Sequence, residues 1–259
     1  MYNLTKAVIS QNPGNYTAWY IRYKCFEKLP LLQDKLGDEL EYLNGLITDV
    51  HKIYQYWHYR KLIVSKYGKL PDNEYDTLDD VYDIDPMNYH MWTYRVWLTT
   101  KYNAWETELE DTTIKIELNS TNNSLWSYKH YLVFSRRDYL DVAREEIEFA
   151  KRYIMEDKNN ESAWFYYKGI LFYSPDKALE NKKEVLILAE KLKEEAKDFS
   201  EEIIKEDKKN RFAQMLLVDI LKQKKETLKE AIDLCARLSQ IDQVRNKYWN
   251  WYKHKLENN

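Results

Sequence analysis

Residues that break helices are scarce in this sequence. Five Gly and five Pro are spread over 259 residues, and because these residue types most often interrupt helices and form tight turns, their scarcity favours helices joined by short connections. Long apolar runs are also lacking, since nothing approaches the roughly 18 apolar residues of a membrane span. Residues 1–6 show no basic segment followed by an apolar one. We therefore expect neither an export signal nor a membrane-spanning helix.

Cysteine is nearly absent, and neither sign of charge dominates. Cys25 and Cys235 lie at opposite ends of the chain and in no metal-ligand spacing, so we expect no disulfide framework, no zinc knuckle, and a reducing, cytoplasmic location. The 40 basic and 43 acidic residues give a net charge of -3, which provides no broad field to attract nucleic acid or anionic lipid. A nucleic-acid partner is therefore not expected.

Aromatic residues, in contrast, are abundant and recur at regular intervals. The chain has 9 Trp and 23 Tyr. The pattern Tyr-x-x-Trp-x-x-Arg occurs at residues 16–22, 54–60 and 89–95, and weaker copies surround Trp126 and Trp164, where Lys129 and Tyr167 replace the arginine. The tryptophans at 19, 57, 92, 126 and 164 are separated by 38, 35, 34 and 38 residues. Self-similarity at such a period indicates a helical repeat array.

Each repeat has the size of a helical hairpin, two helices of about 12 to 15 residues with their turns. Apolar residues spaced three and four apart predict second helices at 40–50, 105–118 and 142–155, while 177–209 is a charged helical segment and 210–221, 228–238 and 244–256 are amphipathic. This predicts an all-α, single-domain solenoid over residues 1–259, with five Trp repeats in about 10–175 and capping helices in about 176–259. The first helix of a repeat is expected to begin at an asparagine with a good N-cap side chain, namely Asn15, Asn88, Asn123 or Asn160.

The tryptophan and arginine of the motif are three residues apart and so share a helix face. Because the stripe is repeated, we interpret the tryptophans as packing residues between hairpins. The arginines are expected to stack on them, or to pair with a carboxylate or a helix-end carbonyl of the neighbouring repeat. These are residues of the fold rather than of a site.

The Asn-Tyr-x-x-Trp-x-x-Arg repeat at this period resembles the repeat of protein prenyltransferase α subunits. Segments 122–126, 160–171 and 242–249 also resemble the α subunit shared by protein farnesyltransferase and type I geranylgeranyltransferase. The resemblance implies a right-handed superhelical crescent of antiparallel helix hairpins that forms a heterodimer with a prenyltransferase β subunit. It implies an enzyme, active with that β subunit, that transfers a farnesyl or geranylgeranyl group from an isoprenyl diphosphate to a cysteine thiol near the C-terminus of CaaX proteins such as small GTPases.

The resemblance also implies zinc, held by the β subunit, and magnesium can accompany the diphosphate. The five histidines of this chain, at 51, 58, 90, 130 and 254, form no H-E-x-x-H motif and no Cys/His cluster. We therefore expect no metal ligands in this chain.

Lys52 and Tyr54 are the catalytic residues that the resemblance implies. Negative charge builds on the departing diphosphate in the transition state, and a lysine of the α subunit, here Lys52, is one of the cations that stabilise it. Lys52 lies just ahead of the second Trp helix, whose positive end also favours phosphate, and Tyr54 can donate its phenol to an anionic oxygen. Ile53 departs from the family motif, which has Asn there, so this repeat is expected to lose its usual cap.

The remaining matches imply substrate-binding residues. Gln55 matches the residue whose amide binds the terminal carboxylate of the protein substrate, and Tyr16 matches a tyrosine that flanks its last residue. Asn88, Tyr89 and His90 match an Asn-Tyr-His at the mouth of the pocket, where Tyr89 could reach a phosphate oxygen. For each of these residues, helix capping or hairpin packing is the alternative.

Two other functions remain open. The α subunit of the type II, Rab-modifying geranylgeranyltransferase has a similar repeat, but the Tyr-Gln and Tyr-His pairs at 54–55 and 89–90 and the C-terminal Arg-x-x-Tyr-Trp favour the CaaX type. A non-catalytic helical scaffold would bind a protein partner in its concave face. It would require neither a lysine at 52 nor a glutamine at 55.

Overall fold

The computed structural model describes residues 1–173 and 182–258, and this part of the chain consists of helices and turns without a strand. The all-α prediction is confirmed. Short 3₁₀ helices cover Pro30–Lys35, Lys225–Thr227 and Gln243–Arg245. The α-helices of the described residues are α1 (Tyr2–Gln11), α2 (Tyr16–Lys28), α3 (Leu36–Asn44), α4 (Ile47–Val50), α5 (Tyr54–Tyr67), α6 (Glu74–Ile84), α7 (Tyr89–Tyr102), α8 (Trp105–Leu118), α9 (Asn123–Phe134), α10 (Tyr139–Glu156), α11 (Glu161–Leu171), α12 (Lys182–Glu206), α13 (Arg211–Leu221), α14 (Leu228–Ile241) and α15 (Asn246–Glu257).

The second helices follow the predictions at 105–118 and 142–155, where α8 and α10 form. The helix predicted at 40–50 is wrong as a single element, because α3 ends before Gly45, whose N–H closes the last turn on the carbonyl of Glu41. Two helices, α1 and α6, were not among the predicted elements. Of the charged segment predicted at 177–209, residues 177–181 lie outside the described part, 182–206 form α12, and 207–209 form the turn after it.

Two compact units make up the chain. The first comprises Met1–Lys115 with Asn122–Leu132, and the second comprises Ile116–Thr121 with Val133–Asn259. Each has buried apolar side chains of its own, around Trp19 and Trp57 in the first unit and around Leu238 and Trp249 in the second. The single-domain organisation stays a prediction. No helix within residues 1–173 or 182–258 has both the length and the apolar character needed to cross a membrane.

The tryptophan of each hairpin holds the turn that precedes its own helix. A buried indole N–H needs an acceptor, and the nearest one is the backbone carbonyl six residues earlier, which we call the turn carbonyl. The indole nitrogens that donate to it belong to Trp19 (2.8 Å, Pro13), Trp57 (2.7 Å, His51), Trp92 (2.9 Å, Pro86) and Trp164 (3.0 Å, Lys158).

Three of these tryptophans, Trp19, Trp57 and Trp92, also pack against the next hairpin. The ring of Trp19 lies 4.9 Å from that of Tyr59, and the ring of Trp57 lies 5.4 Å from that of Tyr94. Trp92 repeats the contact with the corresponding tyrosine of α9 at 5.3 Å. The prediction that these tryptophans are packing residues between hairpins is therefore confirmed.

The turn carbonyl also accepts a hydrogen bond from the asparagine that begins the next repeat. A carbonyl oxygen has two lone pairs and can serve both donors. The asparagine uses its Oδ1 to cap its own helix, as Asn88 does for the N–H of Met91 at 2.9 Å, and its Nδ2 to reach backwards. The backward bonds run from Asn88 to His51 (3.1 Å), from Asn122 to Pro86 (3.2 Å), from Asn160 to Ser120 (2.9 Å) and from Asn210 to Lys158 (2.7 Å).

The fourth repeat corrects the assignment of a capping residue. We predicted Asn123 as the cap, but α9 already begins at Asn123, which is exposed. Asn122 is buried, accepts from the N–H of Ser124 at 2.8 Å and donates to the turn carbonyl of Pro86. Because the asparagine must lie four residues before the tryptophan, as in Asn15 and Trp19, Asn122 is the match to Trp126.

A sixth hairpin follows the five that the tryptophans indicated. Asn210 caps α13 by accepting from the N–H of Ala213 at 2.9 Å, and Gln214, four residues after Asn210, donates Nε2 to the carbonyl of Lys208 at 3.0 Å. Gln214 thus makes the hydrogen bond of the missing tryptophan. The turn before α13 therefore repeats the contacts of the earlier hairpins, and the role of α13 and α14 as capping helices stays a prediction. The pattern was hidden by this substitution and by the 25-residue length of α12.

A buried glutamate on the second helix of each of the first three hairpins joins that hairpin to the following one. In the first hairpin, Nε and Nη2 of Arg22 donate to the two oxygens of Glu39 at 2.6 and 2.5 Å, and the hydroxyl of Tyr59 from α5 donates to the same carboxylate at 2.8 Å. The carboxylate of Glu39 belongs to the arginine's own hairpin. The same arrangement recurs at Arg60, Glu74 and Tyr94 and at Arg95, Glu108 and Tyr128. The expected pairing with a neighbouring repeat occurs at Arg95, whose Nη1 donates to Asp79 of the preceding hairpin at 2.6 Å.

The two adjacent asparagines of the fourth repeat provide a direct test of the hydrogen-bond ladder. We expect Asn122→Ala to lower the free energy of unfolding by about 2 kcal/mol, because it removes both a helix cap and a bond to the preceding turn. Asn123→Ala, one position further along, is expected to change it by less than about 0.5 kcal/mol. Urea unfolding followed by circular dichroism measures both, and equal effects of the two substitutions would contradict the assignment.

Alkaline pH should weaken the fold through its buried tyrosines. Burial raises the pKa of Tyr56 to about 12, whereas an unfolded tyrosine titrates near 10. The folded state therefore retains a proton that the unfolded state loses, so this stabilisation is complete below about pH 10 and declines as the pH rises towards 12, by about 1.4 kcal/mol per pH unit. Urea unfolding between pH 8 and 11 measures the slope. In Tyr56→Phe the dependence of the unfolding free energy on pH is expected to be shallower by the contribution of one proton. An unchanged slope would contradict the prediction.

Candidate functional site

A groove lined by aromatic side chains lies between α2 and α5 in the first unit. Its open volume is about 580 Å³, including the solvent space at its mouth. Three residues predicted for the site, Tyr16, Tyr54 and Gln55, line it together, so the structure brings them into one place although 38 residues separate the two tyrosines. The other residues of its wall are Trp19, Tyr20, Tyr23, His58, Tyr59 and Leu62.

The sequence contained a signal for four of these further residues that the prediction did not use. Tyr20 and Tyr23 lie four and seven residues after Tyr16, and His58 lies four residues after Tyr54. Positions four and seven apart share one helix face, so once Tyr16 and Tyr54 were placed at a site, these side chains could have been placed beside them. Leu62, a further four residues along, extends the wall.

The third repeat joins the groove through an aromatic contact. The ring of Tyr54 stacks on that of His58 with centroids 5.9 Å apart, and its edge faces the ring of His90 at 6.3 Å. His90 is in turn 5.7 Å from Tyr89. Tyr54 therefore connects the two remaining predicted residues of α7, His90 and Tyr89, to the groove.

The tyrosines that open the first three Trp helices are strongly exposed. Tyr16, Tyr54 and Tyr89 have 74%, 63% and 75% of their surface accessible, whereas the tryptophans three residues later are wholly or partly buried. Amphipathic rings of this size are enriched in protein interfaces, where they supply a large contact area with little loss of conformational freedom. This edge of the first unit is thus chemically suited to contact another molecule.

Lys52 lies in the turn between α4 and α5, beside this edge. Its side chain is 71% exposed, and its Nζ is 3.5 Å from Oδ2 of Asp85, a residue of the next turn that the sequence did not indicate. The helix that follows Lys52, α5, has Ile53 as its N-cap residue, and in the described part of the chain no side chain caps it. The predicted loss of the cap is confirmed, and the first N–H groups of α5 are available to an anion.

Asn88 makes contacts of a different kind from the other predicted residues. It is buried, and its amide is used within the chain: Oδ1 accepts from Met91, and Nδ2 donates to the carbonyl of His51 and, at 3.3 Å, to Asp85. These are the contacts of a turn residue of the ladder. Its role in binding a substrate stays a prediction.

The side chains of the described residues do not form a cluster of metal ligands. In residues 1–173 and 182–258 there is no group of three or more His, Cys, Asp or Glu placed to bind one. Structural and catalytic zinc sites use at least three such ligands. The residues described here therefore do not fit a zinc site.

Comparison with known proteins matches this chain to one family. The model of the protein prenyltransferase alpha subunit repeat matches residues 1–29, 71–102, 105–136 and 143–174. The second repeat, with Lys52, lies outside these matches, and it is the repeat in which Val50 and Ile53 occupy turn positions that hold asparagine or aspartate in the third and fifth repeats.

Individual relatives extend the match over nearly the whole chain. The protein farnesyltransferase/geranylgeranyltransferase type-1 subunit alpha of Dictyostelium discoideum is 29% identical over 258 residues, which are 96% of this chain and 76% of that protein. The geranylgeranyl transferase type-2 subunit alpha of Homo sapiens is 26% identical over 189 residues, 65% of this chain and 33% of that protein. Among solved structures, the Candida albicans protein geranylgeranyltransferase-I complexed with GGPP superposes with a TM-score of 0.81 and 27% identity, covering 98% of this chain and 83% of that one.

Proposed function

Because this chain belongs to the protein prenyltransferase α-subunit repeat family, we propose that it is the α subunit of a heterodimeric CaaX protein prenyltransferase. The proposed reaction transfers a farnesyl or geranylgeranyl group from its diphosphate to a cysteine thiol near the C-terminus of a protein such as a small GTPase. The observation that carries the proposal is the groove in which Tyr16, Tyr54 and Gln55 meet, with the exposed Lys52 two residues before Tyr54 in the chain.

The exposed edge of the first unit supports a role in a complex. Tyr16, Tyr54 and Tyr89 present amphipathic rings from three consecutive repeats, and a set of this kind is suited to an interface. We assign this edge to the β subunit and to the substrates held between the two subunits. The relatives in Dictyostelium and Candida are named as a subunit and as a geranylgeranyltransferase, which supports the same assignment.

Lys52 is assigned to the departing diphosphate. Two negative phosphates need cationic or N–H donors as the carbon–oxygen bond breaks, and the barrier falls when these donors are in place beforehand. Lys52 offers an exposed ammonium, and the uncapped start of α5 offers N–H groups and the positive end of the helix dipole beside it. Tyr54 adds a phenol that can donate to the same oxygens.

The groove is assigned to the C-terminal end of the protein substrate. Gln55 can donate its amide N–H to a terminal carboxylate, and Tyr16 with the adjacent ring of Tyr20 provides an apolar wall for the last side chain. His90 and Tyr89 border the same region through Tyr54. The proposal leaves the choice of isoprenoid to the β subunit.

Zinc and magnesium belong to the rest of the proposed enzyme. We assign zinc to the β subunit, where it would supply the thiolate, and magnesium, where it is used, to the diphosphate. No step assigned to this chain passes through either ion. We also propose a cytoplasmic location, since the protein substrates of this reaction are small GTPases and similar proteins.

The CaaX type is favoured over the type II, Rab-modifying enzyme by the extent of the similarity. The type-1 relative aligns with 96% of this chain and the human type-2 relative with 65%. A non-catalytic scaffold gives no reason for an exposed lysine at 52 or for a glutamine at 55 in the groove.

The reaction is tested by co-expressing the chain with farnesyltransferase-type and geranylgeranyltransferase-I-type β subunits and measuring prenyl transfer to a CaaX peptide. We expect transfer with at least one of them, and Lys52→Ala to lower kcat roughly 100-fold because a leaving-group cation is lost. The matched control is Lys224→Ala, an exposed lysine with one carboxylate partner, Glu194, at 2.5 Å, which should leave kcat unchanged. Absence of transfer with every β subunit would refute the enzyme, and an unchanged rate in Lys52→Ala would remove Lys52 from the site.

The role of Gln55 is tested with two versions of one peptide, with a free C-terminal carboxylate and with a carboxamide. We expect Gln55→Ala to raise KM for the free acid about tenfold, the equivalent of one hydrogen bond to a charged group. With the carboxamide peptide the substitution should have little effect, because the charged acceptor is already missing. Equal effects on the two peptides would show that Gln55 acts through packing instead.

A further inference from the structure

Asp85 lies where it can control the position of Lys52. It follows α6 in the turn that precedes α7, and its Oδ2 is 3.5 Å from Nζ of Lys52 and 3.3 Å from Nδ2 of Asn88. The carboxylate is 26% exposed and the lysine 71% exposed. The flexible partner of the pair is therefore the lysine, and the carboxylate is the fixed point.

The position of the Asp85 carboxylate is fixed because its second partner, Asn88, is buried and makes further hydrogen bonds within the chain. Asn88 is buried, accepts from the N–H of Met91 and donates to the carbonyl of His51 at 3.1 Å. His51 immediately precedes Lys52 in the chain. The backbone before Lys52 and the ammonium at the end of its side chain are thus both anchored to the turn of the third repeat, through Asn88 and Asp85.

Other turns use the corresponding residue differently. Asn12, Asp157 and Asp207 each accept a hydrogen bond at Oδ1 from the backbone N–H two residues further on, at 3.1, 2.8 and 2.9 Å, and so stabilise their own turns. Asp85 directs Oδ2 across to the second repeat. In the turn that contains Lys52 the corresponding position is Val50, which is buried and apolar, so the lysine is provided with a carboxylate by the next repeat instead of by its own.

We infer that Asp85 is a positioning residue for Lys52, one that holds the ammonium between the second and third turns so that it is in place when a diphosphate leaves. This rests on the proposed function. A lysine side chain has many rotamers in solution, and a donor that is already oriented makes the transition state cheaper to reach. An exposed ion pair contributes little to folding stability, so the contact between Asp85 and Lys52 is expected to matter for rate more than for the fold.

The test uses the α/β heterodimer in single-turnover experiments, with the affinity for the isoprenyl diphosphate measured separately. We expect Asp85→Asn to slow the chemical step roughly tenfold, with unchanged or tighter diphosphate binding, since a negative charge near the phosphates has been removed. Asp85→Glu should recover part of the rate, and it also serves if the asparagine variant fails to fold. The matched control is Asp157→Asn, at the same turn position but without a lysine partner, which should keep the wild-type rate.

A double substitution separates positioning from other effects. In the Lys52→Ala background, Asp85→Asn is expected to cause no further loss, because Asp85 acts through the lysine. Independent, multiplicative losses would overturn the inference, as would a wild-type rate in Asp85→Asn. A faster rate would also overturn it, because the pair would then withhold Lys52 from the diphosphate. A wild-type heterodimer without transfer activity would instead refute the proposed function, which the first measurement of the series reveals.

Discussion

In three of the turns, a single backbone carbonyl joins two consecutive hairpins: that of His51, Pro86 or Lys158. It accepts the indole N–H of its own tryptophan and the side-chain N–H of the asparagine that opens the next repeat, as the carbonyl of His51 does for Trp57 and Asn88. Where such a carbonyl is buried, leaving it unpaired costs more than the bond itself contributes. Each of these hairpins therefore needs the next one to satisfy its polar groups, and the buried glutamates, which accept from their own arginine and from the following tyrosine, impose the same requirement on the second helices.

The position of the candidate site follows from this arrangement. In the first three repeats the tryptophan and the arginine are wholly or partly buried, so the residue that follows the cap position, which is Asn15, Ile53 or Asn88, lies on the outer edge of the hairpin. In the first three repeats this residue is Tyr16, Tyr54 or Tyr89, and the helical period places Tyr20 and His58 on the same side. The aromatic rings that line the groove therefore come from two consecutive Trp helices, α2 and α5, and not from a loop.

Much of the fold could be predicted from the sequence because the tryptophan is large, rare and used the same way in each hairpin. The prediction failed where a different residue provides the same hydrogen bond. Gln214 replaces an indole with an amide, and of the neighbours Asn122 and Asn123 only the first is four residues before its tryptophan. The groove residues could be predicted from the resemblance and from helical spacing. The contact between Lys52 and Asp85 could not, since it joins residues 33 positions apart through the packing of two turns.

The joint between the first and second hairpins differs from those that follow it within the first unit. Ile53 has no side-chain amide that could donate to the carbonyl of Pro13. The spacing of α2 and α5 therefore depends on the packing of Trp19 against Tyr59 and on the hydrogen bond from Tyr59 to Glu39. These two helices form the walls of the groove. Its width is consequently a property of buried side chains, so interior substitutions can change the groove while every exposed residue of its wall stays the same.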